Sequence, residues 1–417
     1  MTATLTPPPA VQAHRDPNVL RWLVAYTCSM LGDSVYYLAL SWAAVRAGSP
    51  AQAGLVMSAS AVPRAVLMLG GGVVADRFGP RRVVVGSDAV RCAAVLAVAA
   101  LLFFTRPGLW PLALLAVVFG TVDAVFMPAV GALPARLTEP GQLARVQGMR
   151  GLAIRCSGVA GAPLGGLGVA VGGAPAAFTL AGLLIAVSVP LLLGVRIRDL
   201  PAENLPGDDA STGRTTAWSD LAAGLRHIRR HRVLAPLMLA IALGDLGFVG
   251  PLNVGLTLLA DRRGWGAPGM GWVLAGYAVG AGAASLLLTV RGRLPRAGLV
   301  TGVACALGSV AVGALAYVPT LAAAVGAALF VGLLTGLSGA LCGALLQTHT
   351  DPAYLGRVTA VAGLISLGLT PLSMPFAAAA IGAWGLGPVY AVSATVCGLG
   401  GVVALAVPAL RRAELPG

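Results

Sequence analysis

Four ionisable residues interrupt long apolar runs of this chain, where a charged side chain requires either an ion-pair partner or a functional role. They are Asp33, Arg64, Asp123 and Asp245. A charged side chain at the centre of a bilayer costs about 2.5–3.5 kcal/mol on insertion scales, so such residues face a bundle interior or a polar cavity. A carboxylate held away from water can take up a proton or pair with a cation. These residues are therefore the candidates for binding a substrate or a proton.

The apolar segments around these residues define the class of the protein. Of its 417 residues, 57% are hydrophobic and only 10% are charged, whereas soluble domains carry about 25% charged residues. At about 20 residues per span, the sequence predicts an all-α polytopic membrane protein with twelve transmembrane helices. The predicted spans are 19–44, 51–75, 83–104, 110–132, 150–172, 174–195, 233–259, 269–290, 298–318, 320–346, 357–382 and 386–409.

The arginines predict the orientation of these spans. All 28 basic residues are Arg, and the connections on one side hold twenty-one of them. The connections on the other side hold only Arg46, Arg106, Arg262 and Arg263. Because cytoplasmic loops carry the excess of basic residues, both termini are predicted to be cytoplasmic, in a cell membrane. Topology thus accounts for most of the net charge of +13, and no nucleic-acid partner is expected.

The four intramembrane charges are expected at one level. A helix rises about 1.5 Å per residue, which places each of them roughly 18–21 Å from the cytoplasmic end of its span. They are therefore expected to face a shared polar cavity. An ion pair between Asp33 and Arg64 that only holds the first two spans together is an open alternative. Asp123 and Asp245 have no other basic residue at that level, so one of them, or Asp33, is the expected protonatable group.

A second pair of charges lies nearer the cytoplasm. Asp88 and Arg91 are three residues apart and share one face of the third span. With the charged turn that precedes this span, they are expected to form either a cytoplasmic gate or a structural network.

An internal repeat predicts two halves. Leu31-Gly32-Asp33 in the first span recurs as Leu243-Gly244-Asp245 in the seventh. Parallel repeats of this kind place the substrate site between the halves, near the midplane. The linker ends in an amphipathic pattern that suits either the anionic inner leaflet or a plain connecting helix. The predicted organisation is a tail 1–18, a half 19–195, a linker 196–232, a half 233–409 and a tail 410–417.

The remaining reactive residue types predict no further chemistry. Six cysteines are scattered through apolar segments without C-x-x-C spacing, and the four histidines lie outside the spans. The cysteines are expected to be small buried hydrophobic residues. No metal site, no cofactor and no enzyme activity are therefore expected.

A charged turn between the second and third spans resembles the cytoplasmic signature of the major facilitator superfamily. Its residues are Gly72, Asp76, Arg77, Gly79, Arg81 and Arg82, with Pro80 at the usually basic position after Gly79. Further stretches resemble the branch with macrolide-efflux proteins and enterobactin exporters. They are Leu31-Gly-Asp33, Pro63-Arg64, Asp88 with Arg91, Phe126-Met-Pro128-Ala129 and Gly356-Arg357-Val358.

The resemblance implies roles for two motifs. Asp76 would lie at the N-terminal end of span eleven, where the helix dipole favours negative charge, and the arginines of the turn would complete a latch on the cytoplasmic side. A stretch of span five is similar to the antiporter motif that bends this span, although Ala162 replaces the usual Pro. Its residues are Gly161, Pro163, Gly165 and Gly166. Close packing of small residues without a bend is the alternative.

The function that this resemblance implies is secondary active efflux. The substrate would be an amphipathic small molecule, such as a drug, a macrolide-like antibiotic or a siderophore, and the proton gradient would supply the energy. The lipid bilayer, protons and the substrate are the expected partners, and a monomer is expected to function alone. Uptake or uniport of a metabolite is the alternative within transport, and a transporter-like sensor is the alternative outside it.

Overall fold

The structure, a computed structural model, describes residues 15–105, 108–138, 142–197, 217–291, 295–351 and 354–414. All regular structure in these ranges is helical, and the tails and the first part of the linker lie largely outside them. The helices are α1 (Pro17–Ala47), α2 (Pro50–Ala59), α3 (Ala61–Phe78), α4 (Pro80–Phe104), α5 (Trp110–Leu137), α6 (Leu143–Leu193), α7 (Ala217–Arg230), α8 (Leu234–Gly250), α9 (Leu256–Arg262), α10 (Gly266–Arg291), α11 (Ala297–Leu315), α12 (Leu321–Thr348), α13 (Leu355–Trp384), α14 (Leu386–Ala406) and α15 (Pro408–Arg411). A π-helical turn, Pro251–Gly255, joins α8 to α9.

Local sequence explains where several helices begin. Asp16 caps α1 by accepting a hydrogen bond from the backbone N–H of Asn18 at 2.8 Å. Ser49 and Gln52 form a capping box at the start of α2, with each side chain accepting from the other residue's backbone N–H. Gly79 connects α3 to α4 with φ of 83°, a conformation that favours glycine. The turn predicted to be cytoplasmic is therefore short and sharp.

The long helix α6 holds two of the predicted spans. Its backbone leaves the helical region at Gly172 (φ −145°, ψ 21°) and Gly173 (φ 71°, ψ −167°). This break falls at the predicted boundary between the fifth and sixth spans. The chain can reverse there because Gly173 tolerates a positive φ.

Eight helical stretches among the described residues are long and apolar enough to cross a membrane. The α6 stretch counts once, although it contains two predicted spans. The other predicted spans correspond to α1, to α2 with α3, and to α13. The all-helical membrane architecture is confirmed, while the number of twelve crossings stays a prediction.

The apolar core is shared between the halves on one side only. We call α1–α6 the N-terminal half and α8–α14 the C-terminal half. On the side that holds α2 and α9, predicted to be extracellular, two clusters span both halves. One joins Tyr36 and Phe119 of the N-terminal half to Leu258 and Ala378 of the C-terminal half, and the other joins Leu38 of the N-terminal half to Leu259 of the C-terminal half. Towards the predicted cytoplasmic ends, each half has its own cluster. The halves therefore close against each other on the predicted extracellular side.

The linker helix α7 packs on the C-terminal half. Ile228 is 3% exposed and belongs to the same apolar cluster as Leu345 and Val358. The ring of His227 stacks on Tyr354 with centroids 4.5 Å apart. These contacts fix the end of the linker against the beginning of α13.

Glycines set the distance between helices at several crossings. A Cβ at Gly280 of α10 would overlap the carbonyl oxygen of Leu329, and a Cβ at Gly332 of α12 would overlap that of Tyr277. Small residues let membrane helices approach closely enough for dense packing. The crossing of α10 and α12 therefore depends on both glycines.

We expect Gly280→Ala to lower the thermal midpoint of the purified protein, because an added methyl group at a backbone contact costs about 1–3 kcal/mol. Gly282→Ala is the matched control two residues along the same helix, where a Cβ meets nothing within 4 Å. Thermal unfolding in detergent measures both variants. Equal midpoints for the two variants would contradict the assigned crossing.

Candidate functional site

A central cavity of about 590 Å³ lies between the two halves. The charged residues of its wall all come from the N-terminal half: Asp33 on α1, Arg64 on α3, Asp123 on α5 and Arg155 on α6. The C-terminal half contributes mainly apolar side chains, and five methionines take part in the wall as a whole. These are Met30, Met57, Met127, Met270 and Met374. Methionine is flexible and polarizable, so this wall can adapt to apolar groups of different shape.

One charged contact at the cavity joins α1, α3 and α5. The Nη2 atom of Arg64 donates to the carboxylate of Asp123 and, at 2.5 Å, to the phenolic oxygen of Tyr37. Tyr37 in turn donates to Asp123 at 3.2 Å. The Arg64 side chain is 25% exposed and that of Asp123 10%. Both groups are therefore partnered and still reach the cavity.

A second contact lies deeper in the N-terminal half and centres on Arg91. Its Nη1 atom donates to both carboxylate oxygens of Asp33, at 3.0 and 2.7 Å, and to Asp123 at 3.3 Å. Its Nη2 atom donates to Asp88 and, at 3.0 Å, to Ser29. The guanidinium carbon also lies 4.0 Å from the centre of the Phe126 ring, a cation–π contact. Arg91 is fully buried, at 0% exposure.

These contacts form one network, which we call the Arg91 network: Asp33, Arg64, Asp88, Arg91 and Asp123. It contains three carboxylates and two guanidinium groups, so one negative charge is in excess when all are ionised. The side chains of Asp33 and Asp123 are 15% and 10% exposed, whereas that of Asp88 is 0% exposed. A proton or a cation from the cavity can therefore reach Asp33 and Asp123 but not Asp88.

The structure decides between two sets of alternatives. Arg64 pairs with Asp123 and not with Asp33, the partner in the alternative that the sequence left open. Arg91, expected with Asp88 in either a cytoplasmic gate or a structural network, contacts Asp88 and also reaches Asp33 and Asp123 at the level of the cavity. The reason is that the helix rise gives the depth of a backbone position, while a long arginine side chain carries its charge to another level.

Three residues that hydrogen-bond to the Arg91 network were not predicted from the sequence. Ser29 donates to Asp88 at 3.1 Å, Ser188 donates to the other Asp88 oxygen, and Tyr37 joins Arg64 to Asp123. Tyr37 lies four residues after Asp33, on the same helix face, and this spacing could have identified it. Neither serine has such a signal in the sequence.

Asp245 does not line the central cavity. It lies in a separate cavity inside the C-terminal half and accepts a hydrogen bond from Ser366 at 2.5 Å. The expectation that it shares one cavity with Asp33, Arg64 and Asp123 is wrong. Asp33 and Asp245 occupy repeated positions, but their surroundings differ. Asp33 lies with Arg64 and Asp123 at the central cavity, whereas Asp245 borders the space left by small residues of the C-terminal helices.

The charged turn contacts the end of α6 on the predicted cytoplasmic side of the N-terminal half. Arg81 donates through Nε to the carbonyl oxygen of Leu192 at 3.2 Å and through Nη2 to that of Leu193. These are among the last carbonyls of α6, which have no partner within the helix. Arg77 and Arg82 are exposed. The surroundings of Gly72 and of the Asp76 side chain are outside what the structure describes, so the latch on span eleven stays a prediction.

Glycines of the span-five motif make close helix contacts. A Cβ at Gly161 would overlap Ser34 of α1, and one at Gly166 would lie 2.6 Å from the carbonyl oxygen of Ala267 of α10. Gly165 approaches Val35 of α1. The backbone stays helical at Pro163, and the break in α6 comes later, at Gly172 and Gly173. Packing of α6 against both halves is thus the visible consequence of the motif.

No group of three or more His, Cys, Asp or Glu side chains among the described residues is placed to hold a metal ion. The six cysteines are free thiols, so the site consists of carboxylates, guanidinium groups and hydroxyls. The carboxylates can bind and release protons, and both the carboxylates and the guanidinium groups can form ion pairs with a ligand.

Comparison with known proteins supports the same architecture. The chain is 27% identical over 404 residues to the multidrug efflux pump Tap of Mycobacterium tuberculosis (strain ATCC 25618 / H37Rv), covering 94% of each chain. It is 28% identical over 420 residues to the pump of the same name from Mycolicibacterium fortuitum, covering 96% of this chain and 98% of that protein. The fold also matches a crystal structure of a variant of the nucleoside transporter NupG, with a TM-score of 0.72 at 10% identity, over 94% of this chain and all of that one.

The family model described as Major Facilitator Superfamily matches residues 22–370, which is most of the chain. The charged turn, the two helical halves and the cavity between them agree with this match. The chain belongs to the major facilitator superfamily.

Proposed function

We propose that this protein is a proton-coupled exporter of amphipathic small molecules that works by alternating access. The observation that carries the proposal is the central cavity, whose charged residues all come from the N-terminal half, whose C-terminal wall is mainly apolar, and which five methionines from both halves line. A molecule with one polar and one apolar end would lie with each end against a suitable wall. The relatives in mycobacteria are named multidrug efflux pumps, which favours efflux over uptake.

The Arg91 network supplies the proton site in this proposal. Its excess carboxylate charge is most easily neutralised by one proton, on Asp33 or Asp123, the two carboxylates that reach the cavity. Protonation would weaken the contact of Arg91 with that carboxylate and loosen α1 or α5 against α4. A ligand that shifts such an equilibrium must bind the two states with different affinity. Competition of proton and substrate for the same cavity would provide that difference.

The proposed conformational change is the opening of the side on which the halves are closed in this structure. Ser41 of α1 and Thr257 of α9 share a hydrogen bond across the halves, and Arg46 pairs with Asp261 at 3.4 Å. Both contacts lie on the predicted extracellular side. An outward-facing state requires that they separate, as one half rocks against the other.

The charged turn is the proposed counterpart on the cytoplasmic side. Asp76, Arg77, Gly79, Arg81 and Arg82 would hold the cytoplasmic ends together in the outward-facing state. The proposed location is the cell membrane with both termini in the cytoplasm, and the proposed functional unit is a monomer. Transport needs no cofactor, and no bond of the substrate is made or broken.

We expect Asp33→Asn or Asp123→Asn to abolish efflux driven by a pH gradient, because the network then has two carboxylates for two guanidinium groups and no excess negative charge for a proton to neutralise. Uptake of ethidium into inverted vesicles after acidification of the lumen measures this efflux. Glu414→Gln, which removes an exposed carboxylate that lines neither cavity, is the control and should keep at least half of the activity. Full gradient-driven transport in both network variants would refute the coupling site. Substrate counterflow that is equally fast without any pH gradient would favour the uniport alternative.

Cross-linking tests the alternation of access. In Ser41→Cys with Thr257→Cys, oxidation should join the two cysteines, since the hydroxyls that they replace are in contact. The disulfide should reduce efflux at least tenfold, and dithiothreitol should restore it. Each single variant under the same oxidant is the control. Normal efflux by fully cross-linked protein would show that this side need not open.

Asp76→Asn tests the cytoplasmic latch. We expect it to reduce efflux at least fivefold at unchanged expression, because the helix N-terminus proposed to face it favours a negative charge. Asp16→Asn, at the cap of α1, is the control for loss of a cytoplasmic carboxylate. Efflux equal to the native protein at matched membrane levels would contradict the latch.

A further inference from the structure

A second cavity, of about 510 Å³, lies inside the C-terminal half. It runs between α8, α10, α11, α12, α13 and α14, from the level of Asp245 to Leu346 near the predicted cytoplasmic end of α12. Tyr277 borders both this cavity and the central one. The Tyr277 ring packs on Phe248 with centroids 5.8 Å apart, so these two rings stand where the cavities adjoin.

The space in this cavity comes from glycines that do not pack helices together. A Cβ at Gly244, Gly339, Gly343 or Gly363 would meet nothing within 4 Å, and all four line the cavity. At the crossing of α10 and α12, by contrast, a Cβ would overlap the neighbouring backbone. The missing side chains at the cavity wall therefore enlarge a space instead of bringing helices closer.

The polar groups of the wall suit a positive charge. Asp245 is its only acidic residue and, among the described lining residues, none is basic. No described ion pair includes Asp245. Thr301 and Thr335 donate their hydroxyl hydrogens to carbonyls of their own helices, those of Ala297 at 2.8 Å and Val331 at 2.9 Å. A hydroxyl oxygen that donates its hydrogen also carries lone pairs that can accept a hydrogen bond.

The repeated position in the N-terminal half shows what is absent here. Asp33 stands in the same Leu-Gly-Asp triplet as Asp245 and is neutralised by the buried guanidinium of Arg91. In the C-terminal half, α11 is the counterpart of α4 and contributes Thr301 and Cys305 to the wall. The charge of Asp33 is thus neutralised by an arginine of the chain, whereas the charge of Asp245 can be neutralised by a cationic ligand.

We propose that the cavity in the C-terminal half binds an organic cation, an amphipathic molecule whose protonated amine pairs with Asp245. The apolar body of the ligand lies along the glycines of α12 and α13 and against Phe248. The inference rests on the proposed efflux function in one respect, since it names amines as a class of substrate that the exporter binds from the cytoplasmic side. A carboxylate in a largely apolar cavity discriminates strongly in favour of a cation, because a neutral ligand leaves it without a partner.

A pair of matched probes tests this inference on the purified full-length protein in detergent. Dansylcadaverine carries a primary amine that is protonated at neutral pH, and its N-acetyl derivative is neutral. We expect the native protein to bind the amine roughly tenfold to a hundredfold more tightly than the amide, the factor expected of a hydrogen bond between charged groups. Asp245→Asn should abolish this preference, and the control Glu414→Gln, which removes an exposed carboxylate outside the cavity, should keep it. No preference in the native protein, or the same preference in Asp245→Asn, overturns the proposal.

The thiols of the cavity report where the amine binds. Cys305, Cys342 and Cys397 line it, so bound dansylcadaverine should slow alkylation of Cys305 by N-ethylmaleimide at least fivefold. Cys156 is exposed and outside the cavity, and its alkylation should not change. Unprotected Cys305 at saturating amine overturns the assigned location.

Gly343→Leu serves if Asp245→Asn fails to fold. Its side chain would extend into open space within the cavity, so amine binding should weaken at least tenfold without loss of the carboxylate. Unchanged amine binding in this variant overturns the proposal. None of these binding measurements uses a pH gradient, so failure of this inference and failure of proton-coupled efflux are separate results.

Discussion

The buried guanidinium of Arg91 is the interaction on which the N-terminal half depends. It contacts Asp33, Asp88 and Asp123 and thus joins α1, α4 and α5 through one side chain. A buried charge costs several kcal/mol unless good geometry and further hydrogen bonds compensate it, and removal of one partner leaves the others uncompensated. The three helices therefore cannot move independently while all the groups are ionised. In the proposed mechanism, a proton on one of these carboxylates removes part of this constraint and lets the helices shift.

The two halves share a plan but differ in content. Each begins with a Leu-Gly-Asp triplet at the same place in its first span. In the N-terminal half, Arg91 and the ring of Phe126 fill the space beside Asp33. In the C-terminal half, glycines and small polar residues leave a cavity beside Asp245. An identical local motif thus leads to a closed ion network in one half and to an open cavity in the other, because the facing helices differ.

The contact between the halves is equally uneven. Two apolar clusters and several glycine contacts join them on the predicted extracellular side, while separate clusters lie towards the predicted cytoplasmic side. Glycines have two different structural roles in this protein. Gly166 allows α6 to approach α10, whereas Gly343 allows no approach and leaves space. Composition alone does not separate these two roles, although the Gly content of the sequence is high.

The sequence by itself determined the membrane class, the helical segments, the family resemblance and the presence of charges within apolar spans. Length, hydropathy and the period of a helix are local properties, so they can be read along the chain. Only the tertiary structure decided that Arg64 pairs with Asp123, that Arg91 forms an ion pair with Asp33, and that Asp245 lines a separate cavity. Depth along a helix follows from residue number, but pairing depends on which faces of distant helices meet and on how far a long side chain reaches.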